Sequence, residues 1–112
     1  MRLALISALL LALVAVVLAL AAPAFAEDPI TLTIRNNQFV PAELQVPAGQ
    51  RVELIIKNEQ TKAAEFESSS LHREKVIAAG SSASVFVGPL KPGRYEFFDD
   101  FHPATRGVLV AR

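Results

Sequence analysis

The residue types able to do chemistry gather near one end of the chain, in Tyr95-Glu96-Phe97-Phe98-Asp99-Asp100-Phe101-His102-Pro103-Ala104-Thr105-Arg106-Gly107. Two carboxylates and an imidazole at Asp99, Asp100 and His102 offer hard oxygen donors and one nitrogen. That donor set suits ferrous or ferric iron, Mn(II), Zn(II) or Cu(II), and disfavours Cu(I), which prefers sulfur. The other histidine, His72, lies in a polar stretch beside Ser68-Ser69-Ser70. It reads as solvent-exposed, the alternative being a second, weaker site shared with Glu67 or Glu74. No base or acid accompanies those serines in a nucleophilic arrangement, so hydrolysis is not supported. The chain has no cysteine, and Met1 is its only methionine.

These residues need a scaffold, and the pattern around them is one of strands. Ile30-Thr31-Leu32-Thr33-Ile34-Arg35 alternates apolar and polar with period two, the mark of a strand with one buried face. Phe39-Val40-Pro41 followed by Glu43-Leu44-Gln45-Val46 reads as an interrupted edge strand, because Pro41 has no N–H for a ladder. Arg51 to Asn58 is the clearest strand, with Val52, Leu54 and Ile56 on one face. From Glu59 to Glu74 the period is lost, which predicts a long polar connection with at most one helical turn at Ser69 to Arg73. Lys75-Val76-Ile77, Ala83 to Val87, the aromatic run from Tyr95 and a final Val108-Leu109-Val110 complete the set. Asp99 to His102 is expected to form a loop between the last two strands. Seven or so short strands separated by turns argue for an all-β, Greek-key β-sandwich.

The first 26 residues stand apart. Arg2 supplies a short positive start, Leu3 to Ala22 is almost wholly apolar, and Ala24-Phe25-Ala26 matches the small-x-small pattern cut by signal peptidase. Residues 1–26 are therefore expected to be a signal peptide, and residues 27–112 a single domain exported to the periplasm as a soluble protein. Without Arg2 that domain carries ten Lys and Arg against eleven Asp and Glu. Such a balance gives no electrostatic case for nucleic acid.

Phe39-x-Pro41, Val46-Pro47-Ala48-Gly49, the strand ending in Asn58, Pro92-Gly93-x-Tyr95-x-Phe97 and Gly107-x-Leu109-Val110 together resemble the cupredoxin fold. In its copper-binding members a cysteine ligand ends the strand after the Pro-Gly turn. A second histidine and a methionine follow, and the first histidine lies beyond the strand that ends in Asn. The resemblance places Asp99 at the cysteine, His102 at the second histidine, Thr105 and Arg106 near the methionine, and Glu65 where the first histidine is expected. One ligand type of four survives, which excludes a type 1 blue copper site. Glu65-Phe66-Glu67-Ser68, Leu71-x-x-Glu74-Lys75, Gly88-Pro89-Leu90-Lys91-Pro92-Gly93 and Phe97-Phe98-x-Asp100-Phe101-His102-Pro103 are similar to a narrower group. These are the small cysteine-free cupredoxin-like proteins of bacterial periplasmic iron-uptake systems.

That resemblance implies a periplasmic metal-binding protein that takes an iron or copper ion and assists iron uptake. Its partners would be periplasmic or membrane components of the uptake system, and a ferroxidase-like redox role is the enzymatic form of the same reading. Glu65, Asp99 and His102 would be ligands, supported by Glu67 and Asp100. Carboxylates so crowded raise one another's pKa unless a cation or a basic side chain joins them. On that account Asp99→Ala is expected to stabilise the metal-free chain. Arg73, Lys75 and Arg106 are the candidate basic partners if there is no metal. The alternative function is a metal-free β-sandwich module that docks on a transporter or periplasmic partner through Glu59 to Glu74.

Overall fold

The computed structural model describes residues 28–112, so the expected signal peptide, residues 1–26, lies outside the described residues. Nine strands follow one another: β1 (Ile30–Arg35), β2 (Gln38–Val40), β3 (Glu43–Val46), β4 (Val52–Asn58), β5 (Ala64–Ser68), β6 (Arg73–Ile77), β7 (Ser82–Val87), β8 (Gly93–Asp99) and β9 (His102–Ala111). They form a four-stranded sheet, β2-β1-β4-β7, and a five-stranded sheet, β3-β9-β8-β5-β6. The sheets are mixed, since β1 runs parallel to β4 and β3 parallel to β9. The expected all-β sandwich is what the chain forms.

The interrupted edge strand is two strands. At Pro41-Ala42 the chain leaves one sheet for the other, so β2 edges the four-stranded sheet and β3 the five-stranded one. Period-two alternation then sends Leu32 and Ile34, Val52, Leu54 and Ile56, Phe66, Phe97 and Leu109 into the space between the sheets. Phe97 lies at the centre, edge-on to Phe39 with ring centroids 4.8 Å apart and tilted against Phe66 at 5.2 Å. Across the β8–β9 pair it faces Gly107, where a Cβ would fall 2.5 Å from the Phe97 ring. Only a residue without a side chain leaves room for the ring there.

Two expectations about connections are corrected. Glu59 to Glu74 is not a long loop, because β5 and β6 pair antiparallel as a hairpin from Ala64↔Ile77 to Ser68↔Arg73. Glutamates on the outward positions and a small Ser68 on an inward one had hidden the period. Residues 69–72 form a turn rather than a helical one, closed by the His72 N–H donating to Ser69 O, with His72 at a φ of 53°. The Asp99–His102 loop is shorter than expected as well. Asp99 and His102 are paired across β8 and β9, which leaves only Asp100 and Phe101 as the turn.

Candidate metal centre

Strand alternation divides the five acidic and imidazole residues into two groups. On β5, Ala64, Phe66 and Ser68 point into the sandwich, whereas Glu65 and Glu67 stand half-buried on its outer face. On β8, Phe97 and Asp99 point inward and Phe98 outward. Asp100, the first turn residue, donates its N–H to Glu65 O at 2.9 Å and lies exposed beside β5. Glu65, Glu67 and Asp100 thereby bring ligand oxygens within 4.8 Å of one another. Glu74 stands across from Glu67 in the β5–β6 register.

The triad is electrostatically frustrated. The Glu65 carboxyl is held above its ordinary value by loss of solvent and then by Glu74, Asp100 and Asp99. Glu67 is raised by the same loss of solvent, then chiefly by Asp100, Glu74 and Glu65. Carboxylates crowded in this way favour a cation among them. Among the described residues none of the basic side chains that were candidates for the role is paired with the triad. Arg73 donates to Phe86 O at 2.7 Å and to His72 O at 2.9 Å. Arg106 lies over the Phe98 ring, 5.0 Å from its centroid. Lys75 alternates with Glu74 along β6 and so faces away from it. Among the described residues no ion pair involves Glu65, Glu67, Glu74 or Asp100.

Asp99 and His102 are not brought into this cluster. Asp99 is fully buried, and its Oδ1 accepts the N–H groups of Glu65 at 2.9 Å and Phe101 at 3.0 Å. One carboxylate oxygen thus ties β5 to the turn and closes the turn on itself. Its Oδ2 faces His102 Nδ1 at 3.6 Å, too far for a hydrogen bond, and that Nδ1 is buried without a partner. On the other side of the ring, His102 Nε2 lies 3.3 Å from Lys62 Nζ. An ammonium can only donate, so this contact assigns the ring proton to Nδ1, toward Asp99. Thr105 is likewise spent on structure, buried with its hydroxyl donating to Asn37 O at 2.8 Å.

The inner position therefore does not fit a type 1 copper ion. Thiolate and thioether are absent among the described residues, Asp99 spends its Oδ1 on two backbone N–H groups, and the Thr105 hydroxyl donates to Asn37 O. The outer triad fits a hard cation, for which carboxylate oxygens are the natural donors. Sequence reasoning missed Lys62 and Asn58. Asn58 is buried at the end of β4 and donates to Lys62 O, Ile77 O and Ala78 O, which holds Lys62 in place over His102. The signal was an Asn closing a buried run. His72 is exposed and lines a recess with Glu67 and Glu74 without joining the triad.

Comparisons with known proteins agree with the architecture. The cupredoxin-like domain family matches residues 8–111. A Rickettsia prowazekii (strain Madrid E) protein described only as uncharacterised is 42% identical over 82 residues, which is 72% of this chain. The match spans 66% of that relative, just under two thirds of its length. Among solved structures, amicyanin from Paracoccus versutus superposes with a TM-score of 0.62 at 15% identity, covering 81% of this chain and 92% of that one. A purple cupredoxin from Nitrosopumilus maritimus gives 0.60 at 16% identity over 74% of this chain and 99% of its own. At such identities the likeness is one of fold.

Proposed function

Because the chain belongs to the cupredoxin-like domain family, we propose that it binds a metal cation, iron or Cu(II), through oxygen donors on its outer sheet face and not at an inner type 1 position. The observation that carries this reading is the convergence of ligand oxygens of Glu65, Glu67 and Asp100 within 4.8 Å, with no basic side chain among the described residues paired to them. Those three carboxylates would hold the ion and Glu74 would add charge beside it. Asp99, His102 and Lys62 would keep the turn that carries Asp100 in register with β5. When bound, the ion would supply charge neutralisation to the cluster. The motif similarity to periplasmic iron-uptake proteins supports an exported protein, cleaved after Ala26, that serves an uptake system and its membrane components.

The test is elemental analysis of protein purified from its native compartment, joined to scanning fluorimetry with Mn(II), Fe(II) and Cu(II). A cation at one hundred times its dissociation constant stabilises the native state by about 2.7 kcal/mol. For a domain of this size that is a rise in Tm of about 10–20 °C. The double change Glu67→Gln with Asp100→Asn should remove it. No bound metal and no shift would favour a metal-free docking module instead. That second reading is docking on a transporter or periplasmic partner through Glu59 to Glu74, and exposed Val76 on the neighbouring edge strand β6 favours it.

A further inference from the structure

The outer face of the five-stranded sheet also holds a recess of about 550 Å³, lined by Ser69, Ser70, Arg94, Glu96, Phe98, Arg106 and Val108. Its position relative to the triad follows from strand register. Arg106 pairs with Phe98 across β9 and β8, and Phe98 pairs with Glu67 across β8 and β5. Arg106, Phe98 and Glu67 therefore form one rung, two strand spacings or about 10 Å wide. The Arg106 guanidinium lies over the middle member of that rung, 5.0 Å from the Phe98 centroid. It thus leans toward Glu67 without meeting it, and among the described residues it joins no ion pair. Arg94 is in part satisfied by Glu43 at 2.9 Å.

A planar fork of N–H donors, held over an aromatic ring, open to solvent and in no ion pair among the described residues, matches a carboxylate in bidentate geometry. We infer that the recess binds a small polycarboxylate chelator, which reaches from Arg106 along this rung to a cation held by Glu65, Glu67 and Asp100. This rests on the metal-binding reading and names the form in which the ion is carried. Glu96 faces the same recess and repels a free anion. The site therefore selects the chelator when a cation accompanies it and discriminates against the chelator alone. Ser69 and Ser70 add hydroxyl donors at the rim, and Phe98 and Val108 give an apolar floor.

Equilibrium dialysis of the purified protein with Ga(III)–citrate, with citrate alone and with Mn(II) alone tests the inference. Wild type should bind gallium and citrate together and citrate alone at least about tenfold more weakly. Arg106→Gln should weaken the gallium–citrate complex by about tenfold, the worth of a charged hydrogen-bond pair, and leave Mn(II) affinity within about twofold. Arg106→Lys should recover only part of the loss, because an ammonium lacks the fork. Equal binding of gallium–citrate by wild type and Arg106→Gln overturns the inference. So does uptake of gallium with citrate left free in solution. Failure of Mn(II) to bind wild type counts against the metal-binding reading itself, whatever Arg106 does.

Discussion

Replacing Asp99 with Ala should destabilise the domain, although crowding of negative charge alone would give the opposite sign. The carboxylate is 1% exposed, and its Oδ1 accepts from Glu65 N and Phe101 N at 2.9 and 3.0 Å. Alanine leaves both donors without an acceptor, at about 1–3 kcal/mol for each buried group. Both bonds are only partly buried, so a total of about 2–4 kcal/mol is reasonable. The opposing relief is small, because Asp99 is the last of the four influences that raise the Glu65 carboxyl. For a domain of this size the net loss lowers Tm by about 8–30 °C. Asp99→Asn keeps an amide oxygen where Oδ1 stands, so it should cost less, about 1 kcal/mol. Urea denaturation followed by circular dichroism measures both, with an unchanged m-value showing that stability alone has moved. If metal-free Asp99→Ala proves as stable as wild type or more so, the bracing role is wrong and the carboxylate belongs with the crowded charges.

Other consequences can be checked alongside it. Glu65 and Glu67 titrate above their ordinary 4.5, so the folded chain holds protons there that the unfolded chain has lost. Their contribution to stability therefore falls as pH rises from about 4.5 through the raised values. Glu67→Gln should gain on wild type across that window when no metal is present, and a constant difference between the two from acid to neutral pH would contradict the triad electrostatics. Gly107→Ala drives a Cβ to 2.5 Å from the Phe97 ring and 3.0 Å from Ala42 O. It should cost about 1–3 kcal/mol by overpacking, read as a lower urea midpoint. Cu(II) added to the protein should give no intense visible colour, since no thiolate exists for charge transfer. A strong blue band would refute the oxygen-donor account.

Sequence alone determined the sandwich and the exclusion of blue copper. Alternation in Ile30–Arg35 and Val52–Asn58 is local information, because side chains on neighbouring positions of a strand must face opposite ways. Absence of cysteine is a property of composition and needs no structure. The β5–β6 hairpin was harder to see, since its outward positions are charged and Ser68 on its inner face is polar. That serine is buried because its hydroxyl donates to Glu96 O at 2.6 Å, a partner 28 residues away. The division of the site was beyond sequence for the same reason. Asp99 and Asp100 are adjacent in the chain and chemically alike, yet one ends a strand facing the core and the other begins a two-residue turn facing solvent. Which carboxylate braces backbone and which meets Glu65 and Glu67 depends on the register of β5 against β8. Register is set by packing across the sheet, where a shift of one residue would exchange the two faces.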